Sequence, residues 1–239
     1  YCAKTIKNLM VTGRIISASK LAMGSTRVMG TCAIGGQAAG TAAAMASRAH
    51  LEPSEFGRRH IQELRQELLK DDCYLLGAKN EDPRDIARTA TVSATSEKPG
   101  CEAAKVINGV SRAVGGESNM WSSDGIRPDG EELSLSFLPH RVSQIRLTFD
   151  PNLSEERCIS VSKAFLEKEP KGVAKELVKD YTLTLYRDGR PVYAKALSGN
   201  YLRLCVTDLE APVEADRLVV KVLSTNGIAD AHIFEVRIY

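Results

Sequence analysis

Residues 13–46 read GRIISASKLAMGSTRVMGTCAIGGQAAGTAAAMA. Glycine, alanine, serine and threonine are dense enough here for backbone to lie close against something large and flat. Two arginines, Arg14 and Arg27, interrupt the run. The Gly35-Gly36-Gln37 step reads as the opening of a helix that continues to about His50. A glycine-rich helix opening directs unpaired N–H groups outward, and the helix dipole favours negative charge there. That chemistry suits a bound group that becomes anionic.

The stretch is also the most membrane-like in the chain. It contains Gly36-x-x-x-Gly40, a spacing used by helices that dimerise in lipid. Leucine is absent from Val28 to Ala46, so a helix packed in water against a sheet or a ligand is the better reading. Gly36 and Gly40 also have a plainer reading, as small residues that let a helix pack closely. Arg14 and Arg27 can equally be surface charges.

Composition sets outer limits. The chain has 239 residues, 43% hydrophobic and 26% charged, enough for two modest domains. A net charge of +2 gives no electrostatic case for nucleic acid. Basic residues alternate with acidic ones in RRHIQELRQELLKDD, as on a solvated helix face. Six cysteines (Cys2, Cys32, Cys73, Cys101, Cys158, Cys205) lie far apart without CxxC spacing, and four histidines accompany them. That pattern argues against structural zinc and demands no oxidising compartment. Bacterial cytoplasm and periplasm both stay open.

Texture divides the chain. Residues 1–85 are alanine-rich and helical, with Asn8–Thr12 reading as a short strand. A helix capped by Ser54 is expected from Glu55 to about Lys70, its stripe formed by Phe56, Ile61, Leu64, Leu68 and Leu69. The cluster Asn80–Asp85 reads as a linker. From Thr89, apolar and polar residues alternate: Arg141–Phe149, Tyr181–Tyr186, a turn at Asp188-Gly189, a return at Pro191–Lys195, then Arg217–Leu223 and His232–Ile238. Short antiparallel strands without intervening helices indicate a β-sandwich or barrel. The fold class expected is α+β and multidomain, a partial helical domain over 1–85 followed by an antiparallel sandwich over 89–239.

The pieces NLMVTGRIISAS and GSTRVMGTCAIGGQAAGTAAAMA, continued by IQELRQELLKDDCYL, resemble the C-terminal part of FAD-dependent oxidoreductases related to glutathione reductase and fumarate reductase. The resemblance covers roughly residues 5–76. It implies that this segment closes a flavin domain, with Gly36, Gln37 and Ala38 at the isoalloxazine ring, Gly13 and Arg14 bordering the cofactor, and Arg27 facing flavin or substrate. Contacts of that kind contribute about 0.3–2 kcal/mol per charge–dipole pair and raise the flavin's potential. Gly30 stands where the family pattern leads one to expect proline. No GxGxxG on a strand–turn–helix is present, so an N-terminal FAD-binding portion outside this chain is the implied partner. By that reading the chain alone neither holds FAD nor catalyses, and its parent does both.

Residues 89–239 resemble the discoidin or galactose-binding-like jelly roll that carbohydrate-binding modules also use. The matching pieces are Ala90–Ala94, Ala104–Gly109, Met120–Ser123, Lys179–Tyr181, Arg187–Gly189, Asn200–Arg203 and Ile233–Tyr239. The resemblance implies a carbohydrate ligand at loops on one end, and a structural calcium near Asn108 and Glu235. Trp121 is read as a core residue rather than a sugar platform; for Tyr201 and Arg203, near a loop, a solvated loop is the reading preferred over contact with a ligand. Two functions follow: the C-terminal portion of an FAD-dependent oxidoreductase with an appended sandwich, or a non-catalytic glycan- or partner-binding module. The parent's substrate would be a carbohydrate or related hydroxyl compound.

Overall fold

The computed structural model describes residues 1–156 and 160–239. Cys158 therefore lies outside the described residues. The chain separates into two compact units, Tyr1–Glu81 and Asp82–Tyr239.

The first unit is helical. After a 3₁₀ turn at Gly13–Ile15 come α1 (Lys20–Thr26), α2 (Met29–Arg48), α3 (Pro53–Arg59) and α4 (Ile61–Lys70). Ser19 caps α1, its hydroxyl accepting from Ala22 N–H at 3.2 Å. Helix α2 opens at Met29, seven residues before the Gly36 start expected from sequence. Gly35, Ala39, Ala42 and Ala46 form its buried stripe, at the i, i+4, i+7 spacing one helix face requires. Below it, Ala42 and Ala46 pack with Phe56, Leu64, Leu68 and Cys73.

Two further expectations change. Asn8–Thr12 is not a strand: Met10 makes a lone bridge to Cys2. The helix expected over 55–70 is two helices, broken at His60 (φ −124°, ψ 24°). Glu52 rather than Ser54 stands at the N-cap, because Pro53 takes the first helical position, where its missing N–H costs nothing. At the break the His60 ring stacks on Phe56, 5.2 Å between centroids.

Among the described residues the second unit has seven strands: β1 (Thr91–Ala94), β2 (Trp121–Ser122), β3 (Glu131–Phe149), β4 (Val178–Arg187), β5 (Arg190–Leu197), β6 (Leu204–Thr225) and β7 (His232–Ile238). All the pairings are antiparallel. A short helix, α5 (Lys163–Lys168), lies in the long β3–β4 connection.

The sandwich is made by strands that run through both layers. The first half of β3 pairs with β1 and with the second half of β6, which leads on to β4 and β5. The second half of β3 pairs with β7 and with the first half of β6, and β2 joins beyond β7. Between the halves the β3–β6 register shifts at Ser136/His140 and at Val142/Gln144. Bulges of this kind let a strand turn a corner between packed layers. Leu133, Leu135, Leu183, Leu185, Leu218 and Val220 of one layer share a single core with Trp121, Ile145, Leu147, Phe149, Ile233 and Ile238 of the other. Phe149 meets Tyr181 edge-on at 5.2 Å across that core. Each such fully buried side chain contributes about 1.5–3 kcal/mol of transfer free energy.

The β4–β5 turn takes the form its residues demand. Asp188 (φ 48°) and Gly189 (φ 75°) both lie in the left-handed region, as a two-residue hairpin turn requires. The boundary between the units falls within the cluster read as a linker, and its second part is tied into this unit. Asp85 Oδ1 accepts from Ala87 N–H at 3.1 Å and Ile238 N–H at 3.0 Å. Asp82 is buried and pairs with Arg84 at 2.8 Å.

Candidate functional sites

In the helical unit, the 3₁₀ turn at Gly13 is set beside α2. A Cβ on Gly35 would stand 3.0 Å from Thr12 Oγ1 and 3.2 Å from Tyr1 Oη, so Gly35 is the residue that permits this approach. Gly13 sits at φ +76°, a conformation costly to any side chain, and continues the turn. Gly36 and Gly40 face open space: a Cβ added to either would meet nothing within 4 Å. The close-packing reading therefore applies to Gly35 and not to Gly36 or Gly40 within this chain.

Gly36, Gln37 and Ala38 lie inside α2, where N–H groups bond to carbonyls one turn back. The unpaired amides belong to the first turn at Met29, and the N-cap residue Val28 offers no side-chain acceptor. Gly30 occupies the second helical position, in the first turn where proline too is tolerated, so glycine there keeps the helix start intact. Gln37 is exposed and Gly36 half-buried, whereas Ala38 packs against the Phe56 cluster. Arg14 is exposed on the 3₁₀ turn, and Arg27 is the exposed C-cap of α1, one residue before Val28. Along α2, Gly36 and Gly40 thus leave open backbone, with Arg14 and Arg27 exposed on the segments that precede the helix. The earlier helix start was signalled by nothing stronger than the end of the Ser19-capped α1.

In the sandwich unit, the pairing brings one set of loops to one end: 95–101, 123–130, 150–177, 198–203 and 226–231. Trp121 is fully buried beneath them, and its indole N–H donates to the Ser96 carbonyl at 2.9 Å. Buried Glu131 accepts from Thr95, from Ser96 at 2.8 Å and from Arg127 at 2.7 Å. Burial alone would raise its pKa, but these donors and the Arg127 charge outweigh it and hold the carboxyl below its ordinary value. Asp230 is held down likewise: burial acts upward, while Lys98 and the Gly125 N–H act downward.

Tyr201 protrudes from this end, 66% exposed. Its neighbours are locked. Asn200 Nδ2 donates to the Val178 carbonyl at 2.8 Å and the Leu202 carbonyl at 3.0 Å, and its Oδ1 accepts from Leu202 N–H. Arg203 donates to the Phe149 carbonyl at 3.0 Å and to the Ser111 carbonyl, with its guanidinium over Phe234. Arg203 is therefore a clamp that positions the loop, and Tyr201 is the side chain the loop presents.

The residues expected to hold calcium have other partners. Asn108 donates to Asn119 Oδ1 at 2.9 Å and accepts from Val110 N–H at 2.8 Å. Glu235 is buried and pairs with Arg237 at 2.9 Å. Among the described residues no group of three or more His, Cys, Asp or Glu side chains is placed to hold a metal ion. Among the same residues no helix is long and apolar enough to cross a membrane.

Residues 2–68 match the model of the FAD dependent oxidoreductase family. The sandwich resembles solved carbohydrate-binding modules. The family 32 module of Streptococcus pneumoniae EndoD is 20% identical, with 65% of this chain and 98% of that one covered and a TM-score of 0.50. The family 32 module of C. perfringens NanJ, solved with galactose, is also 20% identical, covering 65% and 97% at a TM-score of 0.46. The EndoD likeness establishes a galactose-binding-like fold. The comparison with curated proteins gave no match.

Proposed function

We propose, from the premise that an FAD-dependent oxidoreductase segment is followed here by a carbohydrate-binding-module-like sandwich, that the chain is the C-terminal portion of a flavoenzyme with a glycan-binding domain. The observation that carries the reading is a coincidence of place. The matched residues 2–68 include the open backbone at Gly36 and Gly40, the left-handed Gly13, and the two exposed arginines Arg14 and Arg27.

In this proposal Gly13 and Gly36 bring backbone against the flavin, with Gln37 beside it and Ala38 seating the helix from behind. Arg14 borders the cofactor, and Arg27 faces flavin or substrate. Gly36 lies about two turns beyond the unpaired first-turn amides at Met29, so what it offers the ring is open backbone rather than free N–H groups. A bound flavin supplies the hydride acceptor for oxidation of a hydroxyl-bearing substrate, proposed to be a carbohydrate. An N-terminal dinucleotide-binding portion completes the cradle for the rest of FAD. Calcium is not included, since Asn108 and Glu235 already have protein partners.

For the sandwich, the proposed ligand surface is the loop end that presents Tyr201. An exposed aromatic side chain on a loop already locked by Asn200 and Arg203 costs little ordering on binding. Calorimetric titration of the 239-residue chain with simple sugars tests this. Binding that disappears in Tyr201→Ala supports it. Absence of binding to a broad sugar panel refutes the glycan-binding half.

A further inference from the structure

The long β3–β4 connection carries a feature that the fold does not need. Around Lys168, Lys171 and Lys175 it forms a concavity of about 440 Å³, also lined by Glu155, Val173 and Glu176. All three lysines are exposed. Among the described residues no hydrogen bond or ion pair holds their ammonium groups. Two carboxylates, Glu155 and Glu176, share the lining with the three lysines, which leaves one positive charge in excess. Glu176 Oε1 accepts from Asn152 Nδ2 at 3.0 Å, and Glu155 has interactions of its own. The excess positive charge of that lining favours an anion.

Lys175 is built in. A Cβ on Gly227 would stand 2.9 Å from Lys175 Cγ, so the stem of Lys175 lies against bare backbone. Ile228 N–H donates to the Lys175 carbonyl at 3.3 Å. The wall of the concavity is also joined to the loop that presents Tyr201. Asn226 Nδ2 donates both to the Leu177 carbonyl, next to Glu176, at 3.0 Å and to the Asn200 carbonyl, next to Tyr201, at 3.1 Å.

The geometry points to an acidic saccharide as the ligand, its carboxylate or sulfate held by Lys168, Lys171 and Lys175 while a neighbouring ring reaches Tyr201. This assignment rests on the glycan-binding reading and narrows it to anionic sugars.

The test is titration of the full chain with a trigalacturonate, a neutral galactose trisaccharide and inorganic sulfate. The trigalacturonate is expected to bind at least ten-fold tighter than either of the others. Its affinity should fall with added salt. The double variant Lys168→Ala/Lys171→Ala should bring it down to the neutral sugar's level with thermal stability unchanged; Lys175 is left in place because its stem packs. Equal binding of acidic and neutral sugars, or a double variant with unchanged affinity, overturns the assignment. If Tyr201→Ala still abolishes the neutral binding, the broader glycan reading stands. Sulfate binding as tight as the saccharide means an anion site only and overturns the saccharide assignment. No binding of any sugar overturns both.

Discussion

Gly35 and Thr12 stand so close that a single added methyl at Gly35 would lie 3.0 Å from the threonine hydroxyl, while the next residue, Gly36, faces open space. Adjacent glycines in one helix thus have different uses. Gly35→Val should destabilise the helical unit by about 1–3 kcal/mol through overpacking. Gly36→Ala should leave stability unchanged or raise it by up to about 1 kcal/mol, since alanine is the better helix former. Urea unfolding of both variants checks this. A destabilised Gly36→Ala would mean that the space there is filled by this chain's own packing.

The two aromatic residues of the loop end should behave oppositely. Trp121 is wholly buried with its N–H satisfied by Ser96, so Trp121→Ala should cost about 3–5 kcal/mol. Tyr201 is exposed, and Tyr201→Ala should change stability by no more than about 0.5 kcal/mol. Sugar affinity should drop at least ten-fold only in the second. Thermal unfolding with parallel calorimetry separates the two effects.

Acid should weaken the sandwich through Glu131 and Asp230. Both are held below their ordinary values in the folded state, so the unfolded chain takes up protons first. Their contribution is complete above the unfolded carboxylate range, about pH 4–4.5, and is lost as pH falls through the lower folded values. Thermal unfolding from about pH 7 to about pH 3 should show the loss, and Glu131→Gln should flatten that part of the profile. An unchanged profile in the variant would remove Glu131 from the account.

Gly130 ties the β2–β3 loop to the sheet. It sits at φ +93°, and a Cβ there would meet the Val222 carbonyl at 2.8 Å. Gly130→Ala therefore combines backbone strain with a clash against unyielding backbone, and should cost about 1–3 kcal/mol. Chemical denaturation checks it, with Gly115→Ala as the comparison: it has positive φ (+62°) but no neighbour within 4 Å, and should cost less.

Much of the sandwich is legible in the sequence because its signals are local. The alternation of Tyr181–Tyr186 with Asp188-Gly189 after it specifies a hairpin, and the structure contains that hairpin. Trp121 is readable as core. The corners in β3 and β6 are not, because a bulge leaves no trace in alternation over a few residues and the partner register is set by pairing across the sheet. The start of α2 is hidden for a related reason. Gly35-Gly36 looks like a helix boundary by propensity, but the Gly35, Ala39, Ala42, Ala46 stripe is buried and tertiary packing carries the helix through it. The lysine concavity has no sequence signal either. Lys168, Lys171 and Lys175 sit in a charged run that reads as a solvated loop, and only the fold shows the space between them.

The most direct test of the account is the visible absorption spectrum of the protein purified from the whole open reading frame that encodes this chain. The account predicts a yellow protein with flavin bands, about one FAD per polypeptide, released on denaturation and diminished when Gly36 is replaced by leucine. A colourless protein that takes up no FAD on reconstitution would contradict it.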